Sequence, residues 1–169
     1  MPGVSATIDL HIRAKQEGTA GLGTPQILVD VEAQRNFDEG TATVDQTNVL
    51  YQATRTLAAS TGEDLDLAGV LADALGATIA AAEVTAIYIE AHGANTNDVV
   101  VTRAATNGVP IFLLASGGVN VGPGDFFLLT NRKGITVTAA TGDLLHVANG
   151  GAGSSVTYDV VVIGRTVAA

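Results

Sequence analysis

Three histidines, His11, His92 and His146, are the side chains of this sequence that titrate nearest neutral pH, and each stands alone. No H-x-H or H-x-x-x-H spacing gathers two imidazoles. Glu90 with His92 is the nearest approach to a cupin-like metal set, and a transition-metal site needs more donors than that. A surface or strand-end imidazole is the simpler reading at each position. Glu63, Asp64, Asp66 and Asp73 form the densest acidic group. Calcium takes six to eight oxygens, usually from a loop of fixed spacing, and the EF-hand pattern is absent here. Capping of a helix start accounts for these acids without an ion.

Nucleophiles and phosphate cradles are no better represented. The chain has no cysteine, which removes thiolate catalysis, disulfides and Cys-based zinc sites. Ser5, Ser60, Ser116, Ser154 and Ser155 all lie outside a G-x-S-x-G elbow. The Gly-rich stretches 18–23 and 117–124 match neither phosphate-binding fingerprint and read as turns. Paired carboxylates for glycoside hydrolysis can meet only in the fold. Sugar sites usually also offer aromatic platforms, and this chain has no Trp and three Tyr. The expectation is a protein that is not an enzyme, holds no cofactor or metal, and acts by shape and contact.

The elements that would position such contacts are short strands. Ile8, Leu10 and Ile12 alternate with Asp9, His11 and Arg13, the signature of a half-buried strand. Residues 26–34, 48–60, 84–91 and 98–106 read as further strands. Asn107-Gly108 favours a tight hairpin turn, with 109–116 as its return strand. From 125 to 164, the runs FFLLT, ITVTAA, LLHVAN and VTYDVVVIG are separated by NRKG, TGD and GGAGSS. Strands this short and regular predict an antiparallel sandwich or barrel. Leu67, Val70, Leu71, Ala74 and Leu75 recur at spacings of three and four, which predicts one short helix near 67–75.

At 169 residues the chain reads as one domain, with residues 1–25 a partly extended N-terminal arm. The core must be aliphatic, because aromatics make up only 4% of residues. The start lacks the apolar run of a signal peptide, and no stretch approaches the length of a membrane-spanning helix. Net charge is −9, all of it in the first half: residues 1–90 hold 13 acids against four bases, residues 91–169 four of each. Without a basic stripe, neither nucleic acid nor an anionic membrane is an expected partner. Mean hydropathy of +0.34 is high for a 17.0 kDa monomer, so either the core is large or part of the apolar surface lies under a partner, as in a symmetric assembly.

The segment from Asp66 to Gly164 carries a resemblance. Its residues Asp66-Leu67, Gly69, Leu71, Asp73 and Gly76 come first, then Asn95-Thr96-Asn97-Asp98 before Val99-Val100-Val101. Pro123-Gly124-Asp125 with Leu128-Leu129 follows, and then Gly142-Asp143, Leu145, Val147, Asn149, Tyr158-Asp159 and Ile163-Gly164. Together they resemble small structural proteins of tailed bacteriophages, over about 100 of the 169 residues. The motifs are turns and strand cores, so they speak to a fold more than to an activity.

The resemblance implies an all-β, jelly-roll-like antiparallel β-sandwich. It implies a capsid decoration (cement) protein on the exterior of an icosahedral phage head, made in the host cytoplasm. Its partners would be the major capsid protein and further copies of itself, as a dimer or trimer bridging capsomers. Asp38, Glu39, Glu63, Asp64 and Asp66 are the expected contact residues toward the shell or another subunit. A receptor- or glycan-binding virion module, such as a head spike or tail-associated protein, is the alternative; a β-sandwich enzyme would need a convergent polar pocket that the sequence does not display.

Overall fold

The alternation at the start of the chain builds a ribbon. The structure is a computed structural model that describes residues 3–19, 23–115 and 117–168. In it, β1 (Ala6–Glu17) and β2 (Gln26–Glu39) pair antiparallel from Ala6–Phe37 to Glu17–Gln26. These 12 pairs make an arm about 40 Å long at roughly 3.4 Å per residue. The N-terminal arm expected over 1–25 is thus one half of a hairpin whose second strand is β2. Residues 20–22 of its Gly-rich loop lie outside the described residues, as do Met1 and Pro2.

The remaining strands are β3 (Gln46–Thr47), β4 (Val49–Leu57), β5 (Gly62–Asp66), β6 (Glu83–Ala91), β7 (Val99–Arg103), β8 (Gly118–Val121), β9 (Phe126–Thr136), β10 (Leu144–Asn149) and β11 (Val156–Arg165). Eight of them form two four-stranded sheets, ordered β4-β11-β6-β9 and β5-β10-β7-β8. All ladders within these sheets are antiparallel; β3 pairs parallel with the end of β2. The chain passes repeatedly between sheets, so β10 and β11 lie in different layers and GGAGSS joins them as an arch, not as a hairpin turn. Leu65, Val101, Leu145 and Val147 from one sheet and Ile87, Ile89, Tyr158 and Val162 from the other are fully buried in one core. Each such side chain contributes roughly 1.5–3 kcal/mol over its exposed state.

Three sequence expectations fail for local reasons. Residues 67–75 are not helical; they open a looped excursion closed by the Ala72–Thr78 bridge. Asp66 Oδ1 accepts the Ala68 N–H, and Asp73 Oδ1 accepts those of Leu75 and Ala77. Short acidic side chains that bond backbone within a few residues compete with a helix, and here they prevail over the periodicity. Next, β7 does not turn back at Asn107-Gly108. Asn107 does sit at φ 55°, but its carbonyl accepts the N–H groups of Asp143 and Leu144, so the chain runs toward β10. Pairing with β7 falls to β8, and 109–115 is irregular. Last, NRKG is no turn between two strands. β9 continues through it, with Thr130 opposite Ala86 and Ile135 opposite Val84, so the four residues bulge out against Thr85.

That bulge joins arm to body. Arg165, at the end of β11, is 0% exposed and pairs with Glu83 on β6. Its guanidinium also donates to the carbonyls of Arg132 and Lys133 in the bulge and of Val44 and Gln46 just after the arm. Arg132 in turn forks onto Asp45. Phe37, 1% exposed, buries the arm's base. One buried cation therefore ties four segments where the arm leaves the body.

Candidate functional site

The arm has two unlike faces, because directly paired residues of a ladder point the same way. One face carries Ile8, Leu10, Ile12 and Ala14 of β1 with Val31, Val29 and Ile27 of β2. The other carries Thr7, Asp9, His11, Arg13 and Lys15 with Gln34, Glu32 and Asp30. On the apolar face Ile12 is 50% exposed, Val31 49% and Ile27 63%, with no cover from the described residues. A soluble monomer seldom leaves so continuous an apolar strip in water.

The strip runs on into the body. Where β1 meets the outer face of the β4-β11-β6-β9 sheet, Ile8 and Leu10 line a corner with Tyr88, Phe126, Leu128, Val161 and Ile163. Phe126 is 58% exposed and its ring lies 5.7 Å from that of Tyr88. Beyond the apolar rows, the same sheet face turns acidic. Asp159 and Glu90 sit directly opposite each other on β11 and β6. Tyr88 donates its hydroxyl to Glu90, and this bond pushes the phenol pKa up to about 12. Hydrogen bonds from Thr54 and His92 hold Asp159 below the usual carboxylate range.

Asp159 stands between Thr54 and His92, so the imidazole cannot take the threonine proton, and no activated nucleophile results. His146 pairs with Asp64 across the β10–β5 ladder at 2.7 Å. His11, Asp30 and Glu32 converge on the arm's charged face within ligand reach of one another. Arg13 already occupies that cluster, its Nε 3.0 Å from the imidazole and 3.5 Å from Asp30, and would compete with a cation. A mainly apolar pocket of about 250 Å³ under the 73–80 excursion is lined by Val4, Val49, Leu50, Leu75 and Ile79; of the polar residues on its wall, Asn48 bonds Thr166 and Asp73 bonds the backbone of its own turn.

The five acids singled out in the sequence fall in two places. Asp38 and Glu39 end β2 at the arm's base, both exposed. Glu63, Asp64 and Asp66 lie on β5, an edge strand of the other sheet. Glu63 turns inward: it accepts from Arg55 on β4 and from the buried Tyr158 hydroxyl on β11, bridging the two layers. The Arg55 bond lowers its pKa. Asp64 faces outward onto His146, and Asp66 caps the following turn. Sequence reasoning marked the apolar face of the arm as that of a half-buried strand, and segment 2–25 as a contact region, but did not foresee that the face lies uncovered; it missed the Tyr88–Phe126 corner. The alternation marks an apolar face without saying whether the same chain buries it.

Compared with protein families, with curated proteins and with solved structures, the chain matches none.

Proposed function

We propose that this chain is a structural virion protein, a decoration or cement protein on the outside of a tailed-phage head, built on a jelly roll. The strand order carries the reading. Numbering the eight body strands from β4 to β11 as first to eighth, one sheet runs first, eighth, third, sixth and the other second, seventh, fourth, fifth. That interleaving supports a jelly roll, an architecture shared by capsid domains, lectins and cupins. Fold alone does not choose among these. The phage-like phrasing of residues 66–164, the long uncovered arm and the absence of a reactive constellation among the described residues favour the shell.

In this reading the arm and the acids at its base, Asp38 and Glu39, reach the major capsid protein or a neighbouring subunit, and Asp64 and Asp66 add a second acidic contact on β5. Glu63 serves by holding β5 to the opposite sheet. Many weak contacts repeated by icosahedral symmetry give avidity that no single pair supplies. The protein would be made in the host cytoplasm and meet neither packaged DNA nor membrane.

The test is direct. Heads of the encoding phage are purified, their proteins quantified by mass spectrometry, and particles lacking this gene are challenged with heat and low salt. Many copies per head and a fragile null particle are expected. Particles that contain no copy and survive equally well would sink the reading.

A further inference from the structure

We propose that the apolar face of the arm is an interface between copies of this chain, with the arm of one copy lying on the outer face of the β4-β11-β6-β9 sheet of another. This goes beyond the capsid reading and does not depend on it, since a cement protein can bind a shell as a monomer.

Two observations select a second copy as the occupant. The first is that donor and acceptor are both present on one chain. The arm offers a raised apolar strip centred on Ile12, Val29 and Val31, and the sheet offers an apolar corner around Tyr88, Phe126 and Val161. Either alone is an uncovered patch; copies that exchange arms cover both at once. A two-stranded ribbon is marginal in water on its own, so an arm this long needs such cover.

The second is charge. Arg35 stands on the apolar face of the arm, opposite Ile8, and is exposed. Its guanidinium bonds only the neighbouring Gln34 carbonyl, and it has no acidic partner among the described residues. On the acceptor face, Glu90 and Asp159 are like charges placed directly opposite each other, an arrangement that costs stability. Thr54 and His92 already bond Asp159, and Tyr88 bonds Glu90; an incoming Arg35 adds a permanent cation beside the two carboxylates.

The experiment uses the full chain at micromolar to 100 micromolar concentration in sedimentation velocity and light scattering. Wild type is expected as a closed oligomer, a multiple of the 17.0 kDa protomer. Ile12→Asp combined with Val31→Asp, both at exposed positions, is expected to give a folded 17.0 kDa monomer, its fold checked by circular dichroism and an unchanged melting transition of the diluted protein. Arg35→Glu is expected to weaken association at least tenfold, and adding Glu90→Arg to restore it. A wild-type monomer at 100 micromolar overturns the proposal and leaves the arm to a different protein. So does an oligomer indifferent to the arm substitutions, or a charge swap that fails to restore what Arg35→Glu removes.

Discussion

Glu63 is the residue whose protonation the two layers feel most. Its carboxylate accepts from Arg55 and from Tyr158, and the Arg55 bond holds its pKa below the ordinary 4.5. A carboxylate with a depressed folded pKa contributes its full stability above the unfolded value and loses it as pH falls through the folded one. The fold should therefore weaken from pH 4.5 downward, and Glu63→Gln should flatten that part of the profile; urea melts across pH 2.5–6 measure it. Arg165 sets a larger stake. Replacing it with Met leaves Glu83 buried beside empty carbonyl acceptors and should cost about 3–5 kcal/mol, with Glu83→Gln in the same chain recovering part of the loss. Equal urea midpoints for wild type and Arg165→Met would remove the clamp from the account. None of these partnerships is readable in the sequence, because the bonded residues lie from eight to 121 positions apart.

At the scale of elements, the bulge in β9 is the most exacting feature. Gly134 sits at φ +90°, and a Cβ there would lie 2.6 Å from Glu83 Oε2 and 2.9 Å from Arg165 Nη2. Gly153 shares the φ of +90° but faces open space. Gly153→Ala should cost only the backbone strain, roughly 1 kcal/mol. Gly134→Ala should cost that and the displacement of the buried pair besides, so its melting temperature should fall further; equal losses would mean that the pair yields freely. Element existence was largely legible: β1, β2, β4, β6, β10 and β11 all follow apolar alternation or β-branched runs in the sequence. What was not legible were three junctions. The 67–75 periodicity lost to Asp66 and Asp73 turns, Asn107-Gly108 answered to β10 in place of a hairpin, and NRKG was absorbed into a bulge because Arg165 fills the space beneath it.

Over the whole molecule, sheet membership was also beyond the sequence. Alternation says that a strand has an apolar face, not which layer receives it, and beyond Ile8 and Leu10 no described layer receives the arm's. Net charge then separates the two kinds of association this surface allows. At −9 per copy, protomers repel, so screening by salt should strengthen contacts made through the apolar arm. If, as in the proposed function, the acidic loops attach to a basic face of a shell, that attachment should weaken over the same range. Measuring self-association and head binding from about 0.05 to 0.5 M salt, where the Debye length shrinks from roughly 14 to 4 Å, should give slopes of opposite sign. Parallel slopes would mean that one kind of contact serves both.

The position of β11 within its sheet has a consequence for how the protein is made. β11 lies between β4 and β6, which precede it by many residues, and it delivers Arg165 to the junction of arm and body. A ribosome that has translated as far as Ser155 has thus produced ten strands with the centre of one sheet missing and the base of the arm unfastened. The nascent chain should hold the inner faces of both sheets in the open until β11 clears the exit tunnel, a window in which chaperones meet it. Ribosome-arrested chains stalled with Ser155 exposed should stay sensitive to protease, and chains with Arg165 exposed should become resistant. Resistance before β11 emerges would show that the layers close without it.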